Sequence, residues 1–597
     1  MKRLVIPALL TRLLAALGLA LGLGLGLVAC GNMQTETAAS QQGRQKSQAT
    51  VVVTPPAPQP DVSTRPAPAR DDRAKLDQPK PVAPAAEASA LRREQAADKR
   101  IAAAPMVAGM PSPYTTVMQQ PAPEDRERYG QINDNPVHLV AEAPVSTFSI
   151  DVDTGSYSNM RRFLNQGRLP PSDALRVEEL INYFPYDYAQ PTDGRPFAVH
   201  TELAPAPWNA QKVLLSIGIK GKDVAKQSLP AANLVFLVDV SGSMNSADKL
   251  PLLKSSLKLL VNEMRAQDRI SLVTYADGTG IVLPPTSGSD KATINAAIDA
   301  LRAGGSTAGA SGIQLAYSAA QQSFIKGGIN RILLATDGDF NVGISDTRQL
   351  KSLVEEKRKS GISLSTLGFG VGNYNEAMME QIADVGDGAY SYIDNLMEGH
   401  KVLVNEMTST LATIAQDVKV QVEFNPATVQ EYRLVGYENR ILKREDFNND
   451  KVDAGDIGAG HTVTALYEIT LKGTPGLIDP LRYGASMETA KLGSELAHVK
   501  LRYKLPGEAS STLIDRVVSS DAQRDMAQAS NEFRFATAVA GFGQLMRGGK
   551  YTGGWKFADA RALAAGSTGK DRFGYRGEFL RLVDLASSLS TRPVAER

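Results

Sequence analysis

The chain has 597 residues, 22 % of them charged, with 65 basic side chains against 64 acidic ones. So even a balance argues against nucleic acid as the main partner, because such proteins concentrate positive charge. Its single cysteine, Cys30, excludes internal disulfides and thiolate metal cages, which leaves burial to hold a fold that the length can easily supply.

The chain opens on Met1-Lys2-Arg3 followed by a mostly apolar stretch over 4–29, the plan of a secretory leader. Arg12 and the glycines Gly18, Gly22, Gly24 and Gly26 interrupt it, which disfavours a permanent spanning helix. Leu27-Val28-Ala29-Cys30 resembles the lipobox of bacterial lipoproteins. The resemblance implies cleavage before Cys30 and acylation there, a durable membrane anchor because each buried methylene contributes roughly 0.8 kcal/mol. Gly31, where inner-membrane lipoproteins of this kind carry Asp, points to the outer membrane. Residues 30–125 are rich in Gln, Ala, Pro, Ser, Lys and Arg and are expected to form a disordered tether.

Four further blocks follow. Residues 126–205 read as a small α+β block in which 146–153 alternates as a strand and two short helices stop near Pro170-Pro171 and Pro185. Residues 206–405 alternate apolar strands (212–219, 233–240, 269–275, 331–336, 363–369, 389–393) with amphipathic helices, which predicts a doubly wound, mainly parallel α/β sheet. Residues 416–510 carry short β-branched strands between turns and predict an antiparallel β domain. Residues 511–597 return to helix, with Phe535, Val539, Phe542 and Met546 on one stripe.

Asp239-Val240-Ser241-Gly242-Ser243 closes the apolar strand 233–240, at the sheet edge where open α/β folds bind ligands. Oxygen-only donors there suit Mg²⁺, with Mn²⁺ as the alternative, rather than zinc. Gly304-Gly305-Ser306-Thr307 precedes a helix, and a second buried strand leads to Asp337-Gly338. Parallel strands ending on one edge can bring these segments together.

Asp239, Ser241 and Ser243, then Thr307, then Asp337 resemble the metal-ion-dependent adhesion site of von Willebrand factor type A domains, with all five residues in order. The resemblance implies that Ser241, Ser243 and Thr307 ligate Mg²⁺ directly or through water. Asp239 and Asp337 act mainly through water, and an open corner accepts a carboxylate from a partner. The segments 148–154 and 176–184, with 420–592, are similar to the flanks of a bacterial group of von Willebrand-type lipoproteins.

Competing readings are weaker. A serine nucleophile needs a base within reach, yet none of the five histidines lies in the three site segments. Residues 337–348 lack the Gly and Glu of a calcium loop, and 566–571 lack the Ser or Thr of a phosphate loop. Asp151 and Asp153 are either a charged strand face or a secondary Ca²⁺ site. The aromatic run 182–188 is an apolar wedge or a recognition patch. The expectation is therefore a non-enzymatic, lipid-anchored envelope module that binds an acidic protein partner through Mg²⁺, with a scaffold in which the metal locks an internal arrangement as the alternative.

Overall fold

Every residue of the strand Ala232–Asp239 is buried, as a strand covered on both faces requires. In the computed structural model, which describes residues 126–306, 309–338, 347–479 and 493–591, this strand lies in a six-stranded sheet. Its order is Tyr390–Ile393, Ser363–Phe369, Ile329–Thr336, Ala232–Asp239, Arg269–Tyr275 and Thr279–Ser287. The first five run parallel and the last is antiparallel. Period-two alternation sends Leu234, Phe236 and Val238 to the face covered by Leu250–Glu263, and Val235 and Leu237 to the face covered by Gly309–Gln322. Thr279–Ser287 was not expected as a strand. It is an edge strand, mostly exposed and carrying Pro284 and Pro285, so it lacks the apolar alternation of an interior one and tolerates proline.

The antiparallel part is larger than 416–510. One sheet runs His138–Leu139, Val429–Val435, Thr462–Leu471, Asn209–Gly221, Phe197–Ala206. The other runs Ile457–Gly458, Thr413–Phe424, Glu495–Lys504, Thr512–Ser519, with Val145–Ser149 also paired to Thr413–Phe424. The two share a core that includes Phe148, Ile217, Val422, Tyr467 and Val499. Asn209–Gly221, expected to head the 206–405 unit, the strand expected at 146–153 in a separate 126–205 block, and Phe197–Ala206 are thus parts of this sandwich. The physical reason is double burial. Leu215 and Ile217 face the sandwich core while Leu214 faces a helical layer, so the strand reads like an interior strand of a parallel sheet.

That layer combines Gly155–Asn165 and Val177–Asn182 with the C-terminal helices Asn531–Met546, Phe557–Ala565 and Tyr575–Ser590. Phe535, Val539 and Phe542 are buried in it and Met546 packs against it. The aromatic run is a wedge: Tyr183, Phe184 and Tyr186 are buried, and the Phe184 ring lies 4.9 Å from that of Phe535.

Two arginines of the frame carry ion pairs to the α/β unit, and Arg440 also binds carboxylates of the frame itself. Arg176 binds Glu376 at 3.2 Å and Glu380 at 2.9 Å. Arg440 binds Asp151 at 3.2 Å, Asp153 at 3.0 Å and Asp384 at 2.7 Å. Asp151 and Asp153 lie beyond the strand Val145–Ser149 and are buried, so they are not a charged strand face, and the Arg440 guanidinium rather than a Ca²⁺ ion spans them.

Candidate metal centre

The register Val238↔Ala335 lays the ends of two parallel strands side by side. It places Thr336 next to Asp239, whose Oδ2 accepts the Thr336 hydroxyl at 2.9 Å and the Tyr275 hydroxyl at 3.2 Å. The Ser241 backbone N–H donates to Asp239 Oδ1 at 2.9 Å, an Asx turn that lifts the following residues over the sheet edge. There the Ser241 and Ser243 hydroxyls stand 3.0 Å apart. Asp239, Ser241 and Asp337 are buried, whereas Ser243 is exposed.

The second loop is zipped to the first. Gly304 N–H donates to Val240 O at 2.8 Å and Gly242 N–H to Gly305 O at 3.0 Å. Gly305 has φ +84°, and a Cβ there would collide with the Asp277 carboxylate. That carboxylate holds Ser306 by its backbone N–H and, at 2.6 Å, its hydroxyl, and these bonds keep its pKa below the usual range. The structure thus brings Asp239, Ser241, Ser243 and Asp337 to one edge and docks the Gly304–Ser306 turn against them. Thr307 lies outside the described residues, as do Cys30, the leader and the tether through 125.

Burial raises the Asp239 carboxyl to about 6, with the Asp337 charge adding to the effect and the Ser241 bonds opposing it. Asp337 itself is paired. Lys249 Nζ donates to Asp337 Oδ2 at 2.9 Å and to Asn373 Oδ1 at 3.2 Å. This salt bridge touches one carboxylate and leaves Asp239 and the two serines outside it.

The donor set fits a small hard cation. Mg²⁺ holds oxygens at about 2.0–2.1 Å in an octahedron, so adjacent ligands lie about 3.0 Å apart, the spacing that separates the two serine hydroxyls. Among the described residues no three or more His, Cys, Asp or Glu side chains converge on a metal position, so a cation at this edge would have to draw on the hydroxyls. Sequence reasoning missed Lys249, Tyr275, Asp277, Thr336 and Asn373. Of these, Thr336 was legible as the residue at the strand end beside Asp337; the others meet the site through the fold.

The von Willebrand factor type A domain family matches residues 233–406, the description "von Willebrand factor" matches 123–216, and "Uncharacterized protein YfbK, C-terminal" matches 409–589. "Uncharacterized protein YfbK" of Escherichia coli (strain K12) is 52 % identical over 506 residues, spanning 83 % of this chain and 87 % of that protein. "Uncharacterized protein sll0103" of Synechocystis is 30 % identical over 195 residues, 33 % of this chain and 45 % of that one. Among solved structures, von Willebrand factor type A from Catenulispora acidiphila is 18 % identical with a TM-score of 0.37, covering 66 % of this chain and 91 % of that one. The chain belongs to the YfbK family, with a von Willebrand factor type A domain at its centre and a YfbK carboxy-terminal region.

Proposed function

We propose that this protein is a metal-dependent protein-binding module of the bacterial envelope, anchored by lipid on Cys30, that recognises an Asp or Glu of a partner protein through Mg²⁺. The observation that carries the reading is the convergence of Asp239, Ser241, Ser243 and Asp337 on the carboxyl edge of the parallel sheet, with the turn leading to Thr307 bonded against them. When bound, Mg²⁺ supplies an electrophilic corner for a carboxylate. Ser241 and Ser243, with Thr307, hold it; Asp239 and Asp337 supply the negative charge and orient the hydroxyls. Among the described residues the Ser241 hydroxyl lies against Ser243, with no imidazole bonded to it, which favours a binding role over a serine–histidine nucleophile. No helix among the described residues is long and apolar enough to cross a membrane, and the anchor rests on Cys30.

Calorimetric titration of the mature chain with Mg²⁺ tests the reading. The wild type should give saturable heat that Asp239→Ala and Thr307→Ala lose while their circular dichroism stays native. Heat that persists in both variants would reject the assigned ligands. Fractionation of a Cys30→Ser variant, expected in the soluble fraction, tests the anchor.

The scaffold reading draws on a separate observation. Arg126 N–H donates to Gly372 O and Arg128 N–H to Tyr374 O, both at 2.8 Å, which ties the frame to the loop that carries Asn373 beside the metal centre.

A further inference from the structure

Lys249 stands just before the helix Leu250–Glu263 and makes no side-chain capping bond to it. A cation gains nothing there, since the helix dipole is positive at its amino end. Its ammonium is nevertheless buried, held between Asp337 Oδ2 and Asn373 Oδ1. The stem has a channel of its own: Gly370 adopts φ +75°, and any Cβ there would collide with the Lys249 methylenes. The other carboxylate is treated differently, because the hydrogen bonds to Asp239 come from neutral donors, the Ser241 N–H and the Tyr275 and Thr336 hydroxyls.

We propose that Lys249 is a built-in counter-ion that cancels one of the two carboxylate charges of the metal centre, so that a seated divalent cation leaves it with one net positive charge, matched to a single partner carboxylate. The inference rests on the metal reading above and adds what sets the centre's selectivity. With Lys249, counted over the described residues, two carboxylates, one ammonium and one Mg²⁺ leave a surplus positive charge. Without it the loaded centre is neutral and loses its electrostatic preference for an acidic side chain. The cost of the arrangement is metal affinity, because an ammonium fixed beside the cation repels it, strongly where water is excluded. Lys249 is a positioning and charge-setting residue rather than a ligand.

Magnesium titration of the full mature chain decides the matter. Lys249→Met, which keeps the stem and removes the charge, should bind Mg²⁺ at least about tenfold more tightly than wild type. Lys249→Arg, which keeps the charge, should stay near the wild-type value. Asn373→Asp, which gives the ammonium a second carboxylate and draws it from Asp337, should also tighten binding, and it decides the question if Lys249→Met does not fold. Wild-type affinity in Lys249→Met, or in Asn373→Asp where that variant decides, overturns the inference and leaves the metal reading standing. No Mg²⁺ heat in wild type and variants alike overturns both.

Discussion

Asp277 shows how a single exposed side chain can govern a site it does not join. Its carboxylate bonds Ser306 twice and fills the space a Cβ on Gly305 would need, so it fixes the turn docked against Val240 and Gly242. Supporting partners of metal ligands typically contribute about 10–100-fold in affinity. Asp277→Ala is therefore expected to weaken Mg²⁺ binding about tenfold, measured by calorimetry, with little change in melting temperature because the residue is exposed. Asp239, Ser241, Ser243 and Asp337 were legible because their order and their placement after apolar strands are written locally. Asp277 and Lys249 were not. Each is an unremarkable charged residue near a turn or a helix start until folding brings it to Ser306 or to Asp337, 88 positions away in the latter case.

The helix Glu376–Val385 is the element on which the frame takes its grip. It presents Glu376, Glu380 and Asp384 to Arg176 and Arg440, and Glu178, Glu179, Asp151 and Asp153 crowd the same buried region. Two guanidiniums cannot neutralise so many carboxylates. Burial, with repulsion from Glu438 and Asp151, raises Glu178 to about 7, and burial raises Glu380 to about 8 with the charge of Glu376 adding and Arg176 opposing. Both values stand above the unfolded range near 4.3, so the folded protein binds more protons than the unfolded chain and stability falls as pH rises through these values. His461 acts in the opposite sense: burial and the nearby lysines lower it to about 4, so its contribution is lost only as pH falls below about 6.5. Between pH 6.5 and 8.5 the carboxylates act alone, and the melting temperature should decline by several degrees. A flat or rising profile in differential scanning calorimetry would contradict the proton count. At this scale the alternating strands and helices of the α/β unit could be read from periodicity, since each element carries its own pattern. The sandwich could not, because its registers join distant stretches: Phe148 to Val420, and Tyr467 to Leu215.

Across the whole molecule the von Willebrand domain is inserted into its frame rather than strung after it. The strand Asn209–Gly221 leaves the sandwich, the α/β unit follows, and Thr413–Phe424 returns to the sandwich. Both ends of the unit are thus strands of the sandwich, and the two functional readings part on what the metal does to the chain alone. If the metal recognises an outside protein, a co-purified partner should elute with EDTA while limited proteolysis of the isolated chain stays the same with or without Mg²⁺. If the metal locks an internal arrangement, EDTA should open new cleavage sites in the chain alone. Residues 126–128 add a mechanical coupling. Arg126 and Arg128 bond Gly372 and Tyr374, on either side of the asparagine that steadies the Lys249 ammonium, so whatever shifts this short segment also shifts the loop that holds that ammonium.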